Sequence, residues 1–122
     1  MPIDYSIDKS NGIILEVWTG EVSSPVLAAY WKRLLCDAEA LSIRRTLVDL
    51  RHCDIQFSGE QLFDLICTVV KPMLSGRNWR TALLVGKSLQ YGVSRQYQSF
   101  AEIYSEDAIF HDEEAALKWL MQ

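Results

Sequence analysis

Residues 46–59, TLVDLRHCDIQFSG, decide the fold, because they join a buried strand to the start of a helix. Residues 46–50 form a short, largely apolar run that is typical of a strand inside a sheet. Ser58, followed three residues later by Gln61, matches the capping box that begins a helix. The segment therefore predicts a strand that ends in Asp49, a short loop, and a helix that begins at Ser58. The carboxyl ends of strands are where open α/β sheets place their ligands.

The pattern of apolar residues on both sides of this segment predicts the other elements. Residues 3–7 and 13–18 alternate between apolar and polar around a Ser-Asn-Gly turn, which indicates a β-hairpin. Helical spacing and short apolar runs predict the rest, namely helices over 25–41, 58–74, 88–104 and 113–120 and strands over 80–85 and 108–110. The order ββαβαβαβα implies an α/β fold, with a mostly parallel sheet, an N-terminal antiparallel hairpin and packed helices.

The bulk composition limits the class of protein. A chain of 122 residues, 49% hydrophobic and 23% charged, is expected to form a single globular domain over residues 1–122. The net charge of −4 and the scattered basic residues argue against nucleic-acid binding. The sequence has neither a signal peptide nor an apolar run of about 18 residues, so we expect a cytoplasmic protein without a membrane span.

The sequence lacks the motifs of the common catalytic and metal sites. Asp49, His52 and Cys53 combine a carboxylate, an imidazole and a thiol, but near neighbours in sequence seldom face each other across a reacting atom. The three cysteines have no zinc-ligand spacing and are odd in number, which fits neither a metal site nor a disulfide framework. We therefore predict a protein that is not an enzyme and that uses no cofactor and no metal.

The order of elements and the motif at Asp49-Leu50 and Ser58-Gly59 resemble the SpoIIAA-like fold of STAS domains, the anti-sigma factor antagonists. Those domains end a strand in Asp-Leu and begin the next helix with a phosphorylatable Ser or Thr followed by Gly. The second half of the chain is similar to a bacterial branch of uncharacterised STAS/SEC14-type proteins. The residues that carry this likeness are Tyr91, Gly92, Arg95, Tyr97, Phe110, Asp112, Ala116, Trp119 and Leu120. The resemblance implies a SpoIIAA-like fold and a regulatory role.

Ser58 has two interpretations. The resemblance makes it a candidate phosphosite, and a phosphate at a helix N-terminus would meet free backbone N–H groups. Alternatively, Ser58 is an ordinary N-cap that Gln61 completes, worth about 1 kcal/mol. We favour the capping interpretation, since Phe57 stands where the antagonists carry a polar residue.

A candidate ligand or anion site follows from the polar residues near the strand ends. Tyr91 and Arg95 are four residues apart, so they share one face of a helix. Gly92 within that helix costs about 1 kcal/mol, which suggests that another group approaches closely there. The candidate site comprises Asp49, Ser58, Gly59, Ser88, Tyr91 and Arg95. The alternative, which we weigh equally, is a structural Arg95 that pairs with Asp112, with Glu113 or with the C-terminal carbonyls of a neighbouring element.

The helix over residues 58–74 is apolar around more than half of its circumference, whereas a helix with one buried face usually carries a narrower stripe. Such a helix buries two faces, one of them on the sheet. The second face is a candidate dimer or partner surface made of Phe63, Cys67, Val70 and Leu74. Packing against another helix of the same domain is the alternative.

Two functional hypotheses follow. The first is a small cytoplasmic regulatory or interaction module that resembles the anti-sigma factor antagonists, binds a protein partner and forms a homodimer. The alternative is a STAS/SEC14-type binder of a small apolar, lipid-like or anionic ligand, which the broad apolar helix and the SEC14 side of the resemblance suggest.

Overall fold

The computed structural model describes residues 2–74, 76 and 78–122, except for the side chains of Met73 and Leu74. These residues form five strands, β1 Ile3–Asp8, β2 Ile13–Ser23, β3 Arg45–Gln56, β4 Trp79–Leu84 and β5 Ser105–Phe110. They also form six helices, α1 Ser24–Leu35, α2 Ala38–Ile43, α3 Gly59–Leu65, α4 Lys71–Leu74, α5 Ser88–Ala101 and α6 Glu113–Leu120. A π-helical segment, Ile66–Val70, joins α3 to α4. No helix in the described part of the chain is long and apolar enough to cross a membrane.

The five strands form one sheet in the order β1-β2-β3-β4-β5, in which β1 and β2 are antiparallel and the other neighbours are parallel. This confirms the predicted α/β architecture and its N-terminal hairpin. The hairpin turn uses Gly12 at a φ of 67°, a conformation that other residues adopt only with strain. The parallel register places Thr46, Thr81 and Asp107 next to one another in a row across three strands.

Strand β3 is longer than predicted. The sequence suggested that it ends in Asp49 and that a loop follows, but the strand continues to Gln56. Pairing with β4 stops at Asp49, whereas the second half of β3 pairs with β2, where His52 lies opposite Thr19. A strand with one neighbour needs fewer apolar residues than a central strand. The second half of β3 is therefore polar, and its sequence resembles that of a loop.

The helices cover the two sides of the sheet unequally. Helices α1, α3 and α5 pack on one side, which we call the front face, over a large core. Among the described helices, α6 alone packs on the other side, the back face, against β3, β4 and β5. Successive strand residues alternate between the faces, so Val48 belongs to the front core and Leu47 to the back core.

Two helices differ from the predicted ones because of local hydrogen bonding. The helix predicted over residues 25–41 is divided into α1 and α2, because the Asp37 side chain accepts a hydrogen bond from the Ala40 N–H and begins a new helix. The helix predicted to kink or end at Pro72 instead passes through it into α4. The π-helical segment that precedes Pro72 offers a route around the clash between a proline ring and the carbonyl of Thr68.

Candidate functional site

Asp49 does not lie with the other residues of the predicted anion site. It points to the back face beside Leu47, whereas Ser58 begins a helix of the front face. Its carboxylate forms a bidentate ion pair with Arg51, with nitrogen–oxygen distances of 3.0 and 2.9 Å. Burial tends to raise the pKa of Asp49, but the hydrogen bonds and charge of Arg51 outweigh it and hold the pKa below its ordinary value. Asp49 therefore already has its charged partner.

Ser58 is the N-cap of α3, as the capping interpretation predicted. Its hydroxyl oxygen accepts a hydrogen bond from the Gln61 N–H at 3.1 Å, and the Gln61 side chain accepts one from the Ser58 N–H at 2.9 Å. Ser58 is exposed. Its phosphorylation stays a prediction.

The polar residues of α5 are spread along its surface. Ser88 is exposed at the first position of the helix, Tyr91 stacks on His111 at 6.0 Å, and the Arg95 guanidinium donates to the Gln98 side chain at 3.1 Å. The N–H groups of Gly86 and Lys87 both donate to the Oε1 atom of Gln90, at 2.9 and 3.0 Å. This buried side chain satisfies the N–H groups just ahead of the helix, so the chain itself occupies much of the predicted anion position.

The described chain offers no close contact that would explain Gly92. A Cβ atom at Gly92 would meet no other atom within 4 Å, so the glycine faces open space. Gly59, by contrast, lies against α5, and a Cβ there would come within 2.5 Å of the Gln96 side chain. The close approach therefore occurs between α3 and α5 at Gly59.

The predicted partner surface is partly corrected. Phe63 is 47% exposed and packs edge-on against Phe100 at 5.1 Å, and Cys67 is exposed as well. Val70 is fully buried in the front core, because the π-helical segment adds a residue to its turn and rotates Val70 away from the line of Phe63 and Cys67. Val70 is therefore removed from this surface, and the Leu74 side chain lies outside the described residues.

An internal cavity lies between the front face of the sheet and helices α1, α3 and α5. Its volume is about 60 Å³. Five aromatic side chains line it, namely Trp18, Trp31, Phe57, Trp79 and Tyr97. Aliphatic side chains complete the apolar part of the wall, namely Leu34, Val48, Leu50, Leu62, Leu83 and Val93. Four polar side chains also line it, namely Glu16, Thr46, Thr81 and Ser94.

Glu16 carries the acidic group of this cavity. Its side chain is buried, and its two oxygens accept hydrogen bonds from the Trp18 indole N–H at 2.7 Å and from the Tyr30 hydroxyl at 2.5 Å. Burial raises the pKa of Glu16 above its ordinary value, although these hydrogen bonds oppose the shift. Among the described residues, no Lys, Arg or His forms an ion pair with it. Glu16 is therefore a buried carboxyl group without a cationic partner in the described chain.

Two of the hydroxyl groups that line the cavity differ in their hydrogen bonding. The Thr46 hydroxyl accepts a hydrogen bond from the Trp79 indole at 3.0 Å. Ser94 on α5 is 1% exposed, and its Oγ has no hydrogen-bond partner in the described part of the chain. An unsatisfied hydroxyl in the interior is unfavourable by about 1–3 kcal/mol. Since this one lines the cavity, it is available to a bound group.

A second polar cluster lies behind Tyr97. The Ser105 hydroxyl lies 2.9 and 2.8 Å from the two oxygens of Asp107, and Thr81 forms a further hydrogen bond with the same carboxyl group. Burial raises the pKa of Asp107 to about 7 despite these hydrogen bonds. Burial likewise raises the pKa of Tyr97, whose hydroxyl interacts with Ser105 and Thr81. Thr81 thus connects the cavity wall to this cluster.

The cavity approaches the surface between α3 and α5. Of the described residues that line it, Phe57, Val93 and Tyr97 are partly exposed, and the rest are buried. Phe57 precedes α3 and packs edge-on against Trp18 at 6.4 Å, while Val93 and Tyr97 belong to α5. The described wall of the cavity is therefore accessible to solvent chiefly at these three side chains.

The sequence contained a signal for this site that the predictions did not use. In β2, Ile14 and Trp18 both point to the front core, and the period of two places Glu16 between them on the same apolar face. A carboxylate on the buried face of a strand is uncommon. Ser94 lies similarly on the inner side of α5, four residues after the buried Gln90. The described chain has no group of three or more His, Cys, Asp or Glu side chains placed to hold a metal ion.

Comparison with known proteins places the chain in the class of SpoIIAA-like folds. It is similar to the crystal structure of an uncharacterized protein from the DUF3478 family with a SpoIIAA-like fold, from Shewanella loihica PV-4. The TM-score is 0.64 at 20% sequence identity, over 97% of this chain and 91% of the other. No family model matches the sequence, and no curated protein is significantly similar to it. The fold implied by the resemblance is confirmed.

Proposed function

We propose that this protein binds a small molecule in the cavity between α1, α3, α5 and the front face of the sheet. The observation that supports the proposal most strongly is the combination of five aromatic rings with the unpartnered Ser94 hydroxyl in one internal space. Ligand sites are mostly apolar concavities in which a few polar groups fix the orientation of the ligand. The alternative hypothesis from the sequence, a small-molecule binder, is thus the one that the geometry favours.

The size and lining of the cavity limit the ligand. A volume of about 60 Å³ is less than half that of the cavity of about 150 Å³ that takes up benzene in an engineered protein. The enclosed part of the ligand is therefore smaller than a benzene ring, and a longer tail would leave past Phe57. Its apolar atoms would contact the tryptophan rings, and a hydroxyl or amino group would hydrogen bond to Ser94.

Propan-2-ol, with three carbons and one hydroxyl, is a suitable first probe. The best small ligands gain about 1.5 kcal/mol per heavy atom, which limits the dissociation constant of this four-atom probe to about 40 μM at the tightest, and we expect a value between that limit and the millimolar range. The chain has four tryptophans, and NMR gives each indole N–H its own signal. We expect propan-2-ol to shift the signals of Trp18, Trp31 and Trp79, which line the cavity, and to leave that of Trp119 on α6 unchanged.

A matched pair of variants controls this experiment. Ser94→Leu places an aliphatic side chain in the cavity and is expected to abolish the shifts. Ser99→Leu makes the same change at an exposed position of α5 and is expected to preserve them. Equal shifts in both variants, or shifts at Trp119 alone, would show that the alcohol does not bind in the cavity.

We further propose that the protein is an interaction module that associates with a second copy of itself through the start of the 59–74 helix. The supporting observation is the exposed pair of Phe63 and Cys67 on one side of α3 and the π-helical segment. An aromatic side chain with about half of its surface in water gains free energy when a partner covers it.

Analytical ultracentrifugation tests this second proposal. The wild-type protein is expected to sediment as a dimer at high micromolar concentration, and Phe63→Ser is expected to lower the dimer fraction. Leu89→Ser removes a comparable exposed apolar side chain from α5, which is 58% exposed in the native protein, and serves as the control. A wild-type protein that stays monomeric at all concentrations would refute dimerisation without affecting the ligand proposal.

A further inference from the structure

The surroundings of Glu16 restrict the charge of the ligand. A buried carboxylate is strongly unfavourable unless a cation or several hydrogen bonds compensate for it. Trp18 and Tyr30 supply one hydrogen bond to each oxygen, and each oxygen has a further lone pair. Arg33 contacts Tyr30, the hydrogen-bond partner of Glu16, but its guanidinium lies over the Tyr30 ring and donates to the Ile3 carbonyl. Among the described residues, therefore, none places a positive charge beside the Glu16 carboxyl group.

The aromatic side chains that line the cavity also favour a cationic ligand. The faces of Trp, Tyr and Phe rings attract cations, with Trp the strongest, and the attraction grows when water is excluded. Two ring pairs border the cavity, Trp18 with Phe57 at 6.4 Å and Trp31 with Tyr97 at 6.3 Å, and Trp79 is the fifth ring. Five ring faces and the free lone pairs of a carboxyl group in one small space favour a positively charged group over an anion.

We propose that the ligand of this cavity carries an ammonium group, which Glu16 binds while the surrounding rings contact its carbon atoms. This inference rests on the proposed ligand-binding function and names the chemical class of the ligand. The ammonium group would donate to a free lone pair of Glu16 and to the Ser94 oxygen. The anionic ligand that the sequence suggested does not suit this cavity, because Glu16 would repel it.

Two probes of equal size separate this inference from simple cavity binding. Isopropylamine and propan-2-ol differ in one heavy atom, and the amine is protonated at pH 7 because alkyl amines have pKa values of about 10. We expect the indole signals of Trp18 and Trp79 to report at least tenfold tighter binding of isopropylammonium than of propan-2-ol. Acetate is expected to leave both signals unchanged.

Glu16→Gln tests the role of the charge. Glutamine keeps the shape of the side chain and an oxygen acceptor for the Trp18 indole, but it has no negative charge. The ratio of the two affinities is expected to fall to about one in this variant. Glu21→Gln makes the same change at an exposed position of β2, and it is expected to preserve the ratio.

The outcomes distinguish the two proposals. Equal affinities of the wild-type protein for the amine and the alcohol would overturn the ammonium inference and leave the cavity as a ligand site. Tighter binding of acetate than of the amine would overturn it too. Absence of shifts with all three probes would overturn both proposals. If Glu16→Gln fails to fold, the ratio of the amine and alcohol affinities of the wild-type protein is sufficient to test the inference.

Discussion

The two faces of the sheet are built from different residues. The back face, under α6, has an aliphatic core of Leu47, Ala82, Leu84, Ala116 and Leu120. Beside this core, Arg80 lies over the Trp119 ring, and its buried Nε has no hydrogen-bond partner among the described residues. The front face, under α1, α3 and α5, combines five aromatic rings with Glu16, Thr46, Thr81 and Ser94 around a cavity. Empty space lowers stability, so we expect the aliphatic back core to contribute much of the stability of the fold. We propose that the front face, which contains the cavity, carries the ligand site.

The largest expected effect is on the back face. Leu120 is fully buried, and Leu120→Ala is expected to destabilise the protein by about 2–5 kcal/mol, because it removes apolar contacts and leaves a cavity. Met121 is the next residue and 46% exposed, so Met121→Ala is the control, with an expected change below about 0.5 kcal/mol. Urea unfolding measures both. A small effect of Leu120→Ala would mean that the back face does not provide the stability.

The pH dependence of stability tests the polar cluster behind the front face. Because the folded pKa of Asp107 is raised to about 7, the folded state keeps a proton there that the unfolded state loses near pH 4. Stability is therefore fully present below about pH 4 and falls as the pH rises to 7, by on the order of 3 kcal/mol for this group. Urea unfolding at pH 4, 5.5 and 7 measures this fall.

The variant Asp107→Asn tests whether Asp107 causes this pH dependence of stability. The amide stays neutral at every pH, so the variant is expected to match the wild-type protein near pH 4 and to exceed its stability at pH 7. A variant with the same pH profile as the wild-type protein would mean that Asp107 is ionised in the folded state and contributes nothing to the slope.

Ser94→Ala tests whether the cavity contains an unsatisfied polar group. Removal of a buried hydroxyl without a partner is expected to stabilise the protein by about 1 kcal/mol, and alanine also favours a helix. Ser99→Ala, on the exposed side of α5, isolates the helix propensity. If the Ser94→Ala protein is less stable than the Ser99→Ala protein, the Ser94 hydroxyl has a hydrogen-bond partner.

The smallest expected effect is at Gly92, on the outer side of α5. Because a Cβ atom there meets open space, Gly92→Ala is expected to stabilise the protein by about 0.5–1 kcal/mol and to leave probe binding in the cavity unchanged. Thermal unfolding followed by circular dichroism measures the gain. A loss of stability would restore the prediction that another group approaches Gly92.

The sequence predicted those features that depend on neighbouring residues. The hairpin turn and the capping box at Ser58 with Gln61 each involve residues within a few positions of one another. The π-helical turn that buries Val70 and the Gln90 side chain that occupies the start of α5 depend on tertiary packing, which propensity does not capture. The cavity was missed because its wall combines β2, β3, β4, α1, α3 and α5. Only the placement of Glu16 between Ile14 and Trp18 indicated it from local sequence.

A crystal structure under xenon pressure tests the contrast between the two faces most directly, because xenon occupies internal apolar cavities. We predict a xenon atom on the front face, in contact with Trp18, Trp31 and Tyr97, and none between α6 and the sheet. A front face without xenon, or a xenon site beneath α6, would contradict the proposal that the front face carries the ligand site.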